Sequence, residues 1–167
     1  HQSFLQVNKQ KAYYFGPRSA IIETAKAAIR MLEGFNGRKA IDDFVVDSIG
    51  VGAGVAGYLM DKGYNVIRNV GGERSDDPDR WRNRRVQNYI ALHEAYSNNA
   101  IRVSPDAIDD EEEFRAHLLS IKRATNTEKV DDIEPKYKIK QDGLPSPDRA
   151  DSLSMQFNSI RPMAGVP

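Results

Sequence analysis

The chain contains no cysteine. That excludes a disulfide framework, a thiolate zinc site and a cysteine nucleophile, and it fits a reducing compartment. Net charge is also absent: 24 lysines and arginines balance 24 aspartates and glutamates. Any grip on a polyanion must therefore come from local clustering of cations. No apolar run is long enough to span a bilayer, and His1-Gln2-Ser3 shows no signal-peptide pattern. A G-x-x-x-x-G-K-[ST] loop is missing too, which excludes a P-loop nucleotide site in this sequence. Histidine is scarce, and His93 and His117 fall singly on predicted helices, where packing or surface roles are the simpler reading.

What remains is the composition of an ordinary globular chain. Its 167 residues are 40% hydrophobic and 29% charged, enough for one domain with a sizeable core. Phe4–Val7 and Ala12–Phe15 read as short strands or a hairpin, broken by Gly16-Pro17. Ser19 caps a predicted helix through about Glu33. Phe44, Val45 and Val46 form a continuous apolar run, the mark of a strand covered on both faces. Val55 to Lys62 reads as a helix and Tyr64 to Asn69 as the next strand, which together make a parallel crossover. Further helices are expected over Asp79–Ser97, with Val86, Tyr89, Ile90 and His93 inward, and over Asp109–Arg123. Ala100–Val103 reads as a strand, and Thr125–Gln141 stays open between strand and loop. A last helix starts at Ser146-Pro147, with the serine as cap. The tail over 161–167 is rich in proline and glycine.

The glycines of Val51-Gly52-Ala53-Gly54-Val55-Ala56-Gly57 match the G-x-G-x-x-G pattern of dinucleotide loops. That reading, a nicotinamide-dependent oxidoreductase fragment, requires an acid at the end of the following strand for the ribose. The strand runs Val66-Ile67-Arg68-Asn69 into Val70-Gly71, with no acid, and Arg68 answers only for a phosphorylated ribose. A second reading lets the glycines bring a helix close to the sheet, with Asp47 capping a turn. A third places Asp47 at the carboxyl end of a central strand, where open α/β sheets bind ligands and where a carboxylate suits a hard cation. The third reading requires a second carboxylate elsewhere. Ser146-Pro147-Asp148-Arg149-Ala150-Asp151-Ser152-Leu153 offers Asp151, at the margin of the apolar stripe of Ala150, Leu153 and Phe157 and about 100° round the helix from Ala150. It also offers Asp148 in the first turn, where a helix N-terminus favours negative charge.

These two segments together resemble the nuclease domain of the large terminase subunit of tailed double-stranded DNA viruses. The first is Val45-Val46-Asp47-Ser48-Ile49-Gly50-Val51-Gly52-Ala53-Gly54 and the second is the Asp148–Asp151 stretch. Asn83-Arg84-Arg85 and Glu134-Pro135-Lys136 resemble further stretches of that family, and the likeness runs roughly from Ala40 to Phe157. It implies an α/β, ribonuclease H-like fold, a mixed sheet flanked by helices. It also implies a metal-dependent endonuclease that cuts concatemeric viral DNA during packaging, with two Mg²⁺ or Mn²⁺ ions. By this resemblance Asp47 and Asp151 are metal ligands, with Asp148 a nearby helper. The family's first carboxylate has no match, since His1 to Ala40 holds only Glu23 and Glu33. The expectation is thus a single nuclease domain over 1–167, lacking its first strand and the upstream ATPase motor. A non-catalytic packaging module with the same fold is the alternative. Arg80, Arg82, Arg84 and Arg85, with Lys136 and Lys138, are candidate contacts to the DNA backbone. A solvated face paired with local acids is the competing reading. The implied partners are double-stranded DNA and, in the full protein, an ATPase domain, a small terminase subunit and a portal, with no membrane. The implied location is the cytoplasm of the infected host cell.

Overall fold

The computed structural model describes residues 5–7, 20–34, 44–104, 106–124 and 130–158. They fall into two compact units, one within Tyr13–Val70 and the other made of residues 5–7 with Gly71–Phe157.

In the first unit, α1 (Ala20–Glu33) lies against α2 (Val51–Asp61). Strands β2 (Phe44–Asp47) and β3 (Val66–Asn69) pair in parallel, with Phe44 beside Val66 and Asp47 beside Asn69. The Ser48 amide continues the ladder by donating to the Asn69 carbonyl at 2.8 Å. The crossover read from the sequence is therefore present: two parallel strands joined by a helix. Ala25, Val55 and Leu59 form the core, flanked by Ile29, Phe44, Val46, Tyr58, Tyr64 and Val66. The Phe44 and Tyr64 rings meet edge to face at 5.2 Å.

One correction concerns α2. The sequence places its start at Val55, after a glycine loop, whereas the helix starts at Val51 and contains Gly52, Gly54 and Gly57. Gly50, at φ 59, makes the turn that lets the helix begin so early. The glycines inside the helix are contact points. A Cβ on Gly52 would overlap the Asp47 carbonyl oxygen, and one on Gly54 would come within 2.7 Å of Ile21 Cδ1.

In the second unit, β1 (Leu5–Val7) pairs in parallel with β4 (Ile101–Val103). The described partner of β1 is thus a distant strand; the expected hairpin partner Ala12–Phe15 lies outside the described residues. Helix α3 (Arg84–Ser97) starts later than the sequence suggests, because the Asn83 side chain caps it by accepting from the Val86 amide at 3.0 Å. Before it, Arg80 to Arg82 hydrogen-bonds with Asp131 as a short bridge instead of winding into helix. Helix α4 (Glu111–Leu119) is capped by Asp110 and carries three glutamates in its first turn, as its dipole favours. The segment left open contains a short helix, α5 (Lys136–Gln141). Helix α6 (Asp148–Met155) follows Pro147 and leads into a 3₁₀ turn, Gln156–Asn158. Ser146 does not cap it; its hydroxyl donates to Asp148 Oδ1 at 2.6 Å.

Val86, Tyr89, Ile90, Leu92, Phe114, Ile133, Ala150 and Leu153 make one apolar core, so α3, α4 and α6 share it. His93, expected in the buried stripe of α3, is exposed, and His117 is buried on α4. The stripe runs through Val86, Tyr89 and Ile90, and Leu92 takes the inward place given to His93.

Candidate functional site

Asp47 is the last residue of β2 and is exposed. Among the described residues its carboxylate has no hydrogen bond or ion pair, and it does not cap α2. Its backbone, by contrast, is clamped: the ladder to β3 holds one side and Gly52 presses on its carbonyl. A fixed main chain with an uncommitted, hard anionic side chain is a suitable ligand for a divalent cation.

Asp151 sits in the first turn of α6, and its side chain is mostly covered. Its two oxygens have different surroundings. Oδ1 accepts from the Tyr89 hydroxyl at 2.6 Å and lies 3.7 Å from Arg85 Nε. Oδ2 faces Lys136 Nζ at 2.6 Å. The Arg85 guanidinium lies over the Tyr89 ring, 5.2 Å from its centroid, and its Nη1 donates to the Glu134 carbonyl at 3.5 Å. Burial, and then the charge of Asp151, push the Tyr89 phenol well above its ordinary value, so it stays a donor. Asp148 is exposed, one turn back on the same helix.

Between these two acids, Arg149 points into the protein and is 7% exposed. Its Nη1 reaches Asp109 at 2.6 Å and its Nε reaches Glu113 at 2.5 Å, so a charge pair on α4 and the loop before it holds α6. The Arg149 amide donates to His117 Nδ1 at 3.3 Å, which assigns His117 a structural place in the same contact.

The candidate DNA-contacting cations all have partners. Arg80 pairs with Glu94 at 3.0 Å, Arg82 with Asp132 at 2.8 Å, Arg84 with Asp76 at 2.6 Å, and Lys138 with Glu134 at 2.9 Å. Hydrogen bonds from Arg84 and from Gln87 hold the Asp76 carboxyl below its ordinary value. Arg85 and Lys136 converge on Asp151. The sequence groups these residues as cations; it does not show that two of them surround a candidate metal ligand. An apolar groove of about 390 Å³ lies elsewhere in this unit, lined by Tyr89, Ile90, Tyr96 and Leu118 among others, and no carboxylate lines it.

Among the described residues no group of three or more His, Asp or Glu side chains stands close enough to form a complete cation cage. The available donors still fit the implied metal. They are carboxylate oxygens, and Mg²⁺ is commonly held by one or two carboxylates with waters and substrate phosphate completing the shell. Asp151 Oδ2 already holds a cationic group, the Lys136 ammonium.

No protein-family model matches the chain, and a comparison with curated proteins gives no match. Solved structures do match. A mutant nuclease domain of the large terminase subunit gp2 of bacterial virus Sf6, with manganese and beta-thujaplicinol, is 25% identical with a TM-score of 0.64, over 80% of this chain and 70% of that one. A mutant gp2c of the large terminase subunit from bacteriophage Sf6, with calcium, is 25% identical with a TM-score of 0.62, over 78% and 69%. The gp2 nuclease domain in a further structure is 24% identical with a TM-score of 0.59, over 78% and 69%.

Proposed function

We infer that this chain, which has the ribonuclease H-like fold and resembles over about 80% of its length the nuclease domain of a phage large terminase subunit, is a nuclease of phage DNA packaging. The observation that carries the reading is this structural likeness, which extends over 80% of this chain.

We further propose that the reaction is metal-dependent endonucleolytic cleavage of concatemeric double-stranded DNA, with Asp47 and Asp151 as ligands and Asp148 assisting. Two Mg²⁺ or Mn²⁺ ions, held by these carboxylates, would supply activation of a water and charge stabilisation of the leaving oxygen. The chain's own residues do the rest. Asp47 offers a carboxylate on a backbone that cannot drift. Asp151 offers one that is oriented by its neighbours. Arg80, Arg82 and Arg84, with Lys138, hold phosphates. The Arg80–Glu94 pair is exposed on both sides, and such pairs contribute only about 0–1 kcal/mol, so exchange of that acid for a phosphate is cheap; Asp132, Glu134 and the Arg84 side chain are more covered. Lys136 and Arg85 keep the surroundings of Asp151 cationic, which favours an approaching phosphate.

In this reading the chain works as one nuclease domain over 1–167. In the full protein its partners are an ATPase domain, a small terminase subunit and a portal, in the cytoplasm of the infected host cell. No helix among the described residues is long and apolar enough to cross a membrane.

The test is plasmid DNA with Mn²⁺, with and without chelator. Chelator-sensitive nicking that disappears in Asp47→Ala, with the circular dichroism spectrum retained, is the expected result. Nicking at wild-type rate by Asp47→Ala removes that residue from the mechanism. A complete lack of nicking by the wild-type protein, despite DNA binding, favours a non-catalytic packaging module.

A further inference from the structure

We propose that Tyr89 is a positioning residue for metal binding: its buried hydroxyl holds Oδ1 of Asp151, so that Oδ2, the oxygen now paired with Lys136, is the one left for a cation. The proposal rests on the reading of Asp151 as a ligand and adds a constraint which that reading does not contain.

The geometry is asymmetric. Tyr89 is 5% exposed, and its hydroxyl donates to Oδ1 at 2.6 Å. Oδ2 turns the other way and is itself covered, with Lys136 Nζ 2.6 Å from it; the Lys136 side chain is 45% exposed, so a cation reaches Oδ2 by displacing that ammonium toward solvent. Rotation of the carboxylate about its Cβ–Cγ bond would exchange the oxygens only by breaking the bond to a phenol that is itself buried. Tyr89 is itself held. It belongs to the core shared by α3, α4 and α6, so its ring cannot swing. Arg85, one turn earlier on α3, stacks on that ring and stands 3.7 Å from the same Oδ1. The Arg85 Nε and Nη2 atoms are buried without hydrogen-bond partners, so the guanidinium contributes here by charge and stacking.

A ligand pinned through one oxygen binds through the other. Metal-bound carboxylates are held in this way by neighbouring donors, and loss of such a donor weakens metal affinity about 10–100-fold. From sequence alone Tyr89 is one more residue of an apolar stripe; its hydroxyl acquires a role only where α6 crosses α3.

The experiment uses the full chain and Mn²⁺ alone, with free Mn²⁺ read by electron paramagnetic resonance and no DNA present. Tyr89→Phe keeps the ring in the core and deletes only the donor. It should bind Mn²⁺ about tenfold more weakly or worse, while the far-ultraviolet circular dichroism and the cooperative thermal unfolding are retained. Should that variant fail to fold, Arg85→Lys keeps the charge and removes the planar stack, and a weakening of roughly two- to fivefold is expected. Wild-type affinity in the folded variant overturns the positioning role. Asp151→Asn separates the two levels. If it loses Mn²⁺ while Tyr89→Phe does not, only the positioning role falls. If Asp151→Asn also binds like wild type, Asp151 is not a ligand and both readings fall.

Discussion

Alanine substitutions along α2 give a direct test of why glycines stand beside Asp47. A Cβ at position 52 would overlap the Asp47 carbonyl oxygen and come within 2.9 Å of its carbonyl carbon. Both are backbone atoms, so no rotamer change relieves the clash; the helix or the strand end has to move. Overpacking of this kind costs about 1–3 kcal/mol, and alanine returns at most about 1 kcal/mol of helix propensity. With rigid backbone on both sides, a net loss of about 2 kcal/mol is expected for Gly52→Ala. Gly57 lies in the same helix with nothing within 4 Å of its added Cβ. Gly57→Ala should therefore gain about 0.5–1 kcal/mol. Gly54→Ala falls between them, because its obstacle is the flexible end of Ile21. The outer pair should differ by about 3 kcal/mol, or roughly 6–12 °C in melting temperature for a chain of this size. Calorimetry on the variants measures this. Nicking activity should fall with Gly52→Ala and not with Gly57→Ala, because only the first displaces the Asp47 main chain. Equal melting temperatures for the two variants would refute the close-contact account and reopen the glycine run to a ligand-cradling role.

Two further outcomes follow from the charged residues. Asp76 has its carboxyl lowered from 3.8 by Arg84 and Gln87. Its contribution to stability is therefore fully present above that value and is lost as pH falls through the lower, folded-state value. Urea unfolding across the acid range should show a shallower loss in Asp76→Asn than in wild type; an unchanged slope would dismiss the pairing as a stability determinant. If Arg80 and Arg82 contact phosphates, the double variant Arg80→Gln/Arg82→Gln should bind duplex DNA with a log K against log salt slope about 1–2 smaller in magnitude, measured by fluorescence anisotropy. A slope equal to wild type would return both residues to plain surface pairing.

The elements legible in the sequence are those where one signal dominates. Phe44-Val45-Val46 reads as a strand running into Asp47, and β2 does end there, although its apolar residues are only partly buried where the continuous run predicts cover on both faces. The acidic run at the head of the helix expected over Asp109–Arg123 reads as a helix start, and α4 does begin within it, at Glu111, although it ends early, at Leu119. Other features depend on partners distant in sequence. The register of β1 is set by β4, about a hundred residues on, and no local pattern announces a parallel pairing at that range. Glycine's low helix propensity argues for a loop at 52–54, whereas the packing of α2 against Asp47 and Ile21 requires the absence of a Cβ in a helix. α5 buries only Ile139, too little for a periodicity to show. The cationic residues were identified but not their targets: Lys136 and Arg85 read as groove residues until α6 brings Asp151 beside them.

The buried guanidinium of Arg149 has a consequence for the azimuth of α6. A purely apolar inner face lets a helix roll by a few tens of degrees with little penalty, since oily contacts are non-directional. A planar fork seated on two carboxylates, one on α4 and one on the preceding loop, works instead like a key in a slot. Residues 148 and 151 flank the key, so their bearing on the surface is set by a charge on the opposite side of the cylinder. Methionine or leucine at 149 would leave Asp109 and Glu113 without their shared cation, so stability is lost together with the bearing of Asp148 and Asp151.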